Sequence, residues 1–164
     1  MLLDDVLAPG LRVVFCGTAL GAVSARVGAY YAGPGNRFWL TLHEVGLTPR
    51  VLEPREFRTV LRFGIGLTDV CKTRSGSDAE IGTDGFDVPR LRRAIEDAAP
   101  AWLAFTSKRA GRAVLGRSVE YGVQPERIGP TRCFVLPSPS GRARRWWDIE
   151  PWRELAGLLP PLSP

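Results

Sequence analysis

Residues 12–39 read RVVFCGTALGAVSARVGAYYAGPGNRFW, and the fold is decided here. A short apolar run, Val13 to Cys16, breaks at Gly17 and meets a second glycine at Gly21. A strand ending on such a turn brings backbone close to whatever lies beyond the strand end. A loop with two adjacent tyrosines, Tyr30 and Tyr31, follows. PGNRFW then opens a helix expected from Asn36 to Val45, with Asn36 as N-cap and Phe38, Trp39, Leu42 and Val45 on one face. Strand, tight loop, aromatic loop, helix: this order describes a ligand pocket at the end of a sheet.

Further along, Pro54 opens a short helix expected through Leu61, and Ile65 to Thr68 is a second strand that ends at Asp69. From Thr73 to Gly85 the composition turns to Ser, Gly, Asp and Thr, which predicts a flexible surface loop. Asp87 and Pro89 start a helix running to about Ala98. Ala101 to Thr106 is continuously apolar, as a buried parallel strand should be. Ser107 caps a helix ending at Gly116, and residues 117–131 read as an irregular connection. Cys133 to Leu136 is the fourth strand, Pro137 to Arg145 a loop, and Pro151 to Leu158 a last helix. Strands alternating with helices predict an α/β fold: one domain over residues 1–164, with a parallel sheet covered on both faces. Ligands of open parallel sheets bind at the carboxyl ends of the strands. Those ends are Gly17–Gly21, Asp69, Thr106–Ser107 and Pro137–Gly141, so the unusual residues all fall on one edge.

The chain has 164 residues, 45% hydrophobic and 24% charged, enough for one real core. No apolar run reaches the length of a membrane span, and the N-terminus, MLLDDVLAPG, is acidic rather than signal-like. Cys16, Cys71 and Cys133 are far apart in apolar runs and are expected to be buried core thiols. With one histidine, His43, expected at the surface, nothing predicts a metal site, and no cofactor is expected. A reducing, cytoplasmic setting and a monomer follow as expectations. Net charge is +5, and the 22 basic residues include only two lysines, Lys72 and Lys108. Codon bias in a GC-rich genome is one reading of that ratio; phosphate binding by the planar guanidinium is the other. Clustering favours the second reading. Arg142, Arg144 and Arg145 stand beside Trp146 and Trp147, a reasonable nucleic-acid footprint.

FCGTALG followed by GAYYAGPGNRFW resembles the first active-site motif of mismatch-specific uracil-DNA glycosylases, the bacterial relatives of thymine-DNA glycosylase. VLPSPSG, Val135 to Gly141, resembles their second motif, and the opening DDVLAPGLRVVFCG fits as well. The resemblance implies a three-layer α/β/α fold around a four-stranded parallel sheet. It also implies an enzyme that extrudes a base from DNA and hydrolyses its N-glycosidic bond, without metal or organic cofactor. One departure from the pattern matters: Ala19 stands where the family usually has the asparagine that orients the attacking water, and a methyl group cannot hold a water.

Glycosidic hydrolysis of this kind needs a flipped base, a stabilised leaving anion and a water. By resemblance, Arg142 occupies the position of the wedge that fills the emptied stack, with phosphate contact as its alternative. Ser138, Ser140, Gly141 and Arg144 are expected to face DNA. Backbone N–H groups of Gly17, Thr18 and Ala19 would donate to the base oxygen as it becomes anionic. Tyr31 matches the aromatic that stacks on the base, and Asn36 closes the same pocket. Asp69, a carboxylate directly after a buried strand, is the candidate to activate water or stabilise the sugar cation. Base recognition remains open for Asp69, as does capping of the following turn; Asp78, Glu80 and Asp84 could instead reach in from their loop. Uracil, mismatched or among other damaged bases, is the expected target, in double-stranded or single-stranded DNA. A catalytically silent DNA-binding module of the same fold is the alternative, and a nucleotide-binding enzyme unrelated to DNA is a second.

Overall fold

The computed structural model describes residues 2–162. β1 (Val13–Gly17), β2 (Ile65–Asp69), β3 (Trp102–Phe105), β4 (Gly122–Ile128) and β5 (Thr131–Val135) form one sheet in the order β2-β1-β3-β5-β4. β2, β1, β3 and β5 run parallel; β4 pairs antiparallel with β5. The expectation of four parallel strands is therefore corrected to five strands with one antiparallel edge. β4 lies inside the stretch read as an irregular connection. Its seven residues, GVQPERI, carry a proline, and their burial alternates instead of forming an apolar run. Proline is tolerated on an edge strand, and the pairing shifts register between Gln124 and Arg127 beside it.

Alternation along the central strands sorts the core onto two faces. Val13, Phe15, Ile65, Leu67, Trp102, Ala104 and Phe134 point to one side. There they meet α2 (Phe38–Glu44), the 3-10 helix Pro54–Phe63 and the last helix, Glu150–Leu158. Val14, Cys16, Leu103, Phe105, Cys133 and Val135 point to the other side. They pack on Leu91 and Ile95 of the helix Val88–Ala98 and on Ala110 and Val114 of Lys108–Leu115. Burying a side chain of this size stabilises by roughly 1.5–3 kcal/mol, so both layers hold the sheet. All three cysteines are free and buried, as expected, and His43 is exposed.

Several local expectations change. The tyrosine loop is preceded by a helix, α1 (Ala22–Val27), that ends on Gly28 in the left-handed conformation. The N-cap of α2 is Arg37 rather than the expected Asn36, whose Oδ1 accepts the Phe38 N–H at 2.9 Å from one position further out. The helix from Pro54 is 3-10 and extends to Phe63, held at its start by a reciprocal Glu53–Glu56 cap. The stretch read as a surface loop contains a short helix, Asp78–Ile81, with a Ser77–Glu80 capping box. The loop after the second motif winds into the 3-10 helix Gly141–Trp146.

Candidate active site at the strand ends

β1 and β2 end in register, Gly17 beside Asp69. The Asp69 residue is 3% exposed, and its Oδ2 has no hydrogen-bond partner. Its Oδ1 lies so close to Gly17 that a Cβ there would be 2.7 Å away. The same imagined Cβ would be 3.5 Å from Thr106 Oγ1 and 3.6 Å from Tyr31 Oη. The missing side chain of Gly17 thus opens the one place where Asp69, Tyr31 and Thr106 converge. Burial pushes the Asp69 carboxyl up to about 7, with Lys72 and Arg90 opposing and Asp5 adding to the rise. A buried carboxyl without a partner is rare in native structures and marks a candidate functional group.

Tyr31 is held on two sides. Its ring stacks on Phe38 with centroids 3.9 Å apart, and its hydroxyl shares a hydrogen bond with Thr106 Oγ1 at 3.1 Å, Thr106 also lying within reach of the Cys16 carbonyl. Its backbone has φ +54°, a conformation that non-glycine residues adopt at a cost of order 1–3 kcal/mol. Such strain persists only where the surroundings impose it. Here the Phe38 stack and the Thr106 hydroxyl do so.

The remaining predicted residues divide between this point and its rim. The Thr18 hydroxyl donates to Asp78 at 3.2 Å, which directs it to the neighbouring loop. Asn36 spends its side-chain oxygen on the Phe38 N–H. Ala19 is half-buried in the turn. The turn carbonyls of Thr18 and Leu20 accept from Cys71 and Gly76, binding it to residues 71–76. On the other side the first motif is locked to the second: Arg37 N–H donates to the Pro139 carbonyl at 2.8 Å. A Cβ on Gly141 would be 2.8 Å from the Pro34 carbonyl, so this contact also needs glycine. Ser138 and Ser140 are turned inward as local caps, accepting the N–H groups of Ser140 and Arg142 respectively.

Beyond Gly141 the rim is basic and open. Arg142, Arg144, Arg145 and Trp146 are exposed, Trp146 at 67%. Arg145 lies over the Trp146 ring, while Trp147 turns inward against Trp152 with Arg37 above it. Of the carboxylates considered as alternatives, Asp78 pairs with Arg109 and Asp84 with Arg74. Glu80 is held below its usual range by Ser77 and, further off, by Arg142. None of the three is at the Gly17–Asp69 contact. Two clefts, of about 390 and 430 Å³, open elsewhere, beside Arg109 and beside Lys72. Thr106 and Arg37 were absent from the sequence-derived site. Thr106 ends a predicted strand, the one signal that pointed to it.

Residues 5–156 match the model of the uracil DNA glycosylase superfamily. The chain belongs to that superfamily. Among solved structures it is similar to the solution NMR structure of a "putative Uracil DNA glycosylase" from Methanosarcina acetivorans, at 26% identity and a TM-score of 0.62. The match covers 95% of this chain and 93% of that one. Superfamily membership accords with the α/β sheet and with a glycosylase role; it leaves the individual residues to be assigned from their surroundings.

Proposed function

We propose that this protein is a monofunctional DNA glycosylase that removes uracil, and other damaged bases, from DNA, with Asp69 as the group that acts on water. The observation that carries the reading is the Asp69 carboxyl: buried, unpartnered at Oδ2, and beside the gap left by Gly17. A carboxyl near 7 is matched to proton transfer at neutral pH. In this reading Asp69 accepts a proton from water as its oxygen bonds to C1′ of the sugar. The C1′–N bond breaks, its electron pair leaves with the base, and N–H groups of the Gly17–Gly21 turn stabilise the resulting anion. Tyr31 offers the aromatic surface for the extruded base, at roughly 1–3 kcal/mol for such stacking. Arg142 fills the vacated stack from the rim, while Arg144 contacts backbone phosphate. Duplex or single-stranded damaged DNA is the proposed partner.

The test is release of free base from uracil-containing oligonucleotides with the enzyme in excess. Asp69→Asn should lower the single-turnover rate by about 10²–10⁴. A folded Asp69→Asn protein at the wild-type rate would remove Asp69 from the chemistry. No release from any lesion by wild type would leave the silent DNA-binding module. The orphan carboxyl favours one second reading: protonated, it both donates and accepts, as an amide does, and could read a base edge. In that case Asp69→Asn would change which base is excised and retain the rate.

A further inference from the structure

Behind Asp69 lies a buried cluster of charges that the hydrolytic mechanism does not use. Asp5 stands at its centre. Its Oδ1 accepts from Thr68 Oγ1 at 2.6 Å and pairs with Lys72 Nζ at 3.1 Å; its Oδ2 pairs with Arg90 Nη1 at 2.8 Å. The Lys72 side chain is only 4% exposed, those of Asp5 and Arg90 17% and 18%. Lys72 also donates to the Tyr30 hydroxyl at 2.9 Å, which donates to the Asp4 carbonyl. The second Arg90 nitrogen, Nη2, donates to the backbone carbonyl of Asp69 at 2.6 Å. Two cations and one anion, all largely withdrawn from water, therefore adjoin a buried carboxyl whose Oδ2 has no partner. A buried cation left uncompensated would bias any nearby carboxyl towards its charged form.

We propose that Asp5 is a positioning residue of the strand-end site: it holds Lys72 and Arg90 in ion pairs that withhold their positive charge from the Asp69 carboxyl and keep that carboxyl able to take up a proton. The inference rests on the reading of Asp69 given above. The N-terminal segment is placed for this by Val6, which bridges antiparallel to Leu67 in the middle of β2. The groups facing Asp69 from each neighbouring element are Asp5 from the N-terminal segment and Arg90 from the helix Val88–Ala98. Cys16 comes from β1, Tyr30 and Tyr31 from the aromatic loop, and Lys72 from the chain after β2. Burial and nearby negative charge hold Cys16, Tyr30 and Tyr31 neutral near pH 7. The charge balance at Asp69 is therefore set by Asp5, Lys72 and Arg90.

This arrangement makes two substitutions act in opposite directions. Asp5→Asn removes the compensating anion and frees two cations, so Asp69 should lose its proton at lower pH. Lys72→Met removes one cation and keeps the volume, so Asp69 should hold its proton to higher pH. The measurement is the NMR titration of the Asp69 carboxyl carbon in the full chain, wild type and each variant. Each midpoint is expected to move by about one pH unit, the low end for an opposite charge at close range. A general loss of packing would not give opposite signs. An unchanged Asp69 midpoint in either folded variant, or movement of both in one direction, overturns the proposal. Should either variant not fold, Asp5→Ser or Lys72→Gln takes its place, so that both directions are read. The pH profile of single-turnover base release is the separate readout of Asp69 chemistry. Carboxyl midpoints that move while the rate profile stays fixed would uphold the Asp5 relation and dismiss Asp69 as the acting base.

Discussion

Gly17 and Asp69 are register partners at the ends of adjacent parallel strands, and a methyl group on Gly17 would come within 2.7 Å of Asp69 Oδ1. Asp69 is too short and too enclosed to yield by bending. Gly17→Ala should displace the carboxyl and narrow the space shared with Tyr31 and Thr106. Misplacing a reacting group by about 1 Å can cost about 100-fold, and a loss of that order in single-turnover base release is expected. Affinity for undamaged duplex should stay within error, because no rim arginine is among the groups that a Cβ on Gly17 would meet. An active Gly17→Ala enzyme would show that the strand-end gap is not where the base or water sits.

Asp69 also makes a stability prediction whose sign is fixed. Its carboxyl is raised from 3.8 to about 7 in the folded protein. Between those values the folded state holds a proton that the unfolded state has lost. Stability is therefore expected to fall as pH rises from about 4 to about 7 and then level off, by an amount on the order of 2–4 kcal/mol from this group. Asp69→Asn removes that penalty. Thermal or urea unfolding of the variant should show a gain over wild type at pH 8 that shrinks towards pH 4. A gain independent of pH would contradict the raised value.

Arg142 follows the glycine that locks the two motifs together, and it is exposed. As a wedge it would hold an extruded state whose formation costs a few kcal/mol, least where the base is already unpaired. Arg142→Ala should thus lower base release more on a paired lesion in duplex than on a single strand. Equal loss on both substrates would reduce Arg142 to a phosphate contact.

Among the described residues Trp146 is the most exposed large hydrophobic, and Arg145 lies over its ring. Stacking of a nucleobase on an aromatic contributes roughly 1–3 kcal/mol. Trp146→Ala is expected to weaken binding of a short single-stranded oligonucleotide about tenfold and leave the folding midpoint unchanged. In wild type, log affinity for duplex against log salt should fall with slope about −0.9 per phosphate neutralised. A flat salt dependence would remove nucleic acid as the partner of this rim.

The sequence carried the four parallel strands because each contains a short apolar stretch that stops at glycine, aspartate, threonine or proline. β4 was not legible: an edge strand buries one face only, and Pro125 argues against a strand unless its edge position is known. α1 was hidden by its length of six residues between two glycines. Asp69 was legible as a site because topology alone puts every strand end on one edge. The charges behind it were not. Asp5 and Arg90 are 85 residues apart, and nothing near either one signals the other. Asp5 read only as part of an acidic N-terminus and of the DDVLAPG opening, and only the fold makes it a largely enclosed ion.

β2, which carries Asp69, is the outermost strand of the sheet on its side. An outer strand has one free flank and is among the first parts of a sheet to open in the native state. Here that flank is closed by the paired amides of Val6 and Leu67 and by Arg90 on the Asp69 carbonyl. Exchange of the Leu67 amide with solvent therefore requires the N-terminal segment to lift away, and with it goes Asp5. Opening of this corner should release the segment and expose the ion cluster as one cooperative unit, at a free energy below that of unfolding the central strands. The segment around Val6 thus acts as a clasp on the outer strand, and a substitution that broke its pairing with Leu67 would loosen the reactive corner before it disturbed the rest of the sheet.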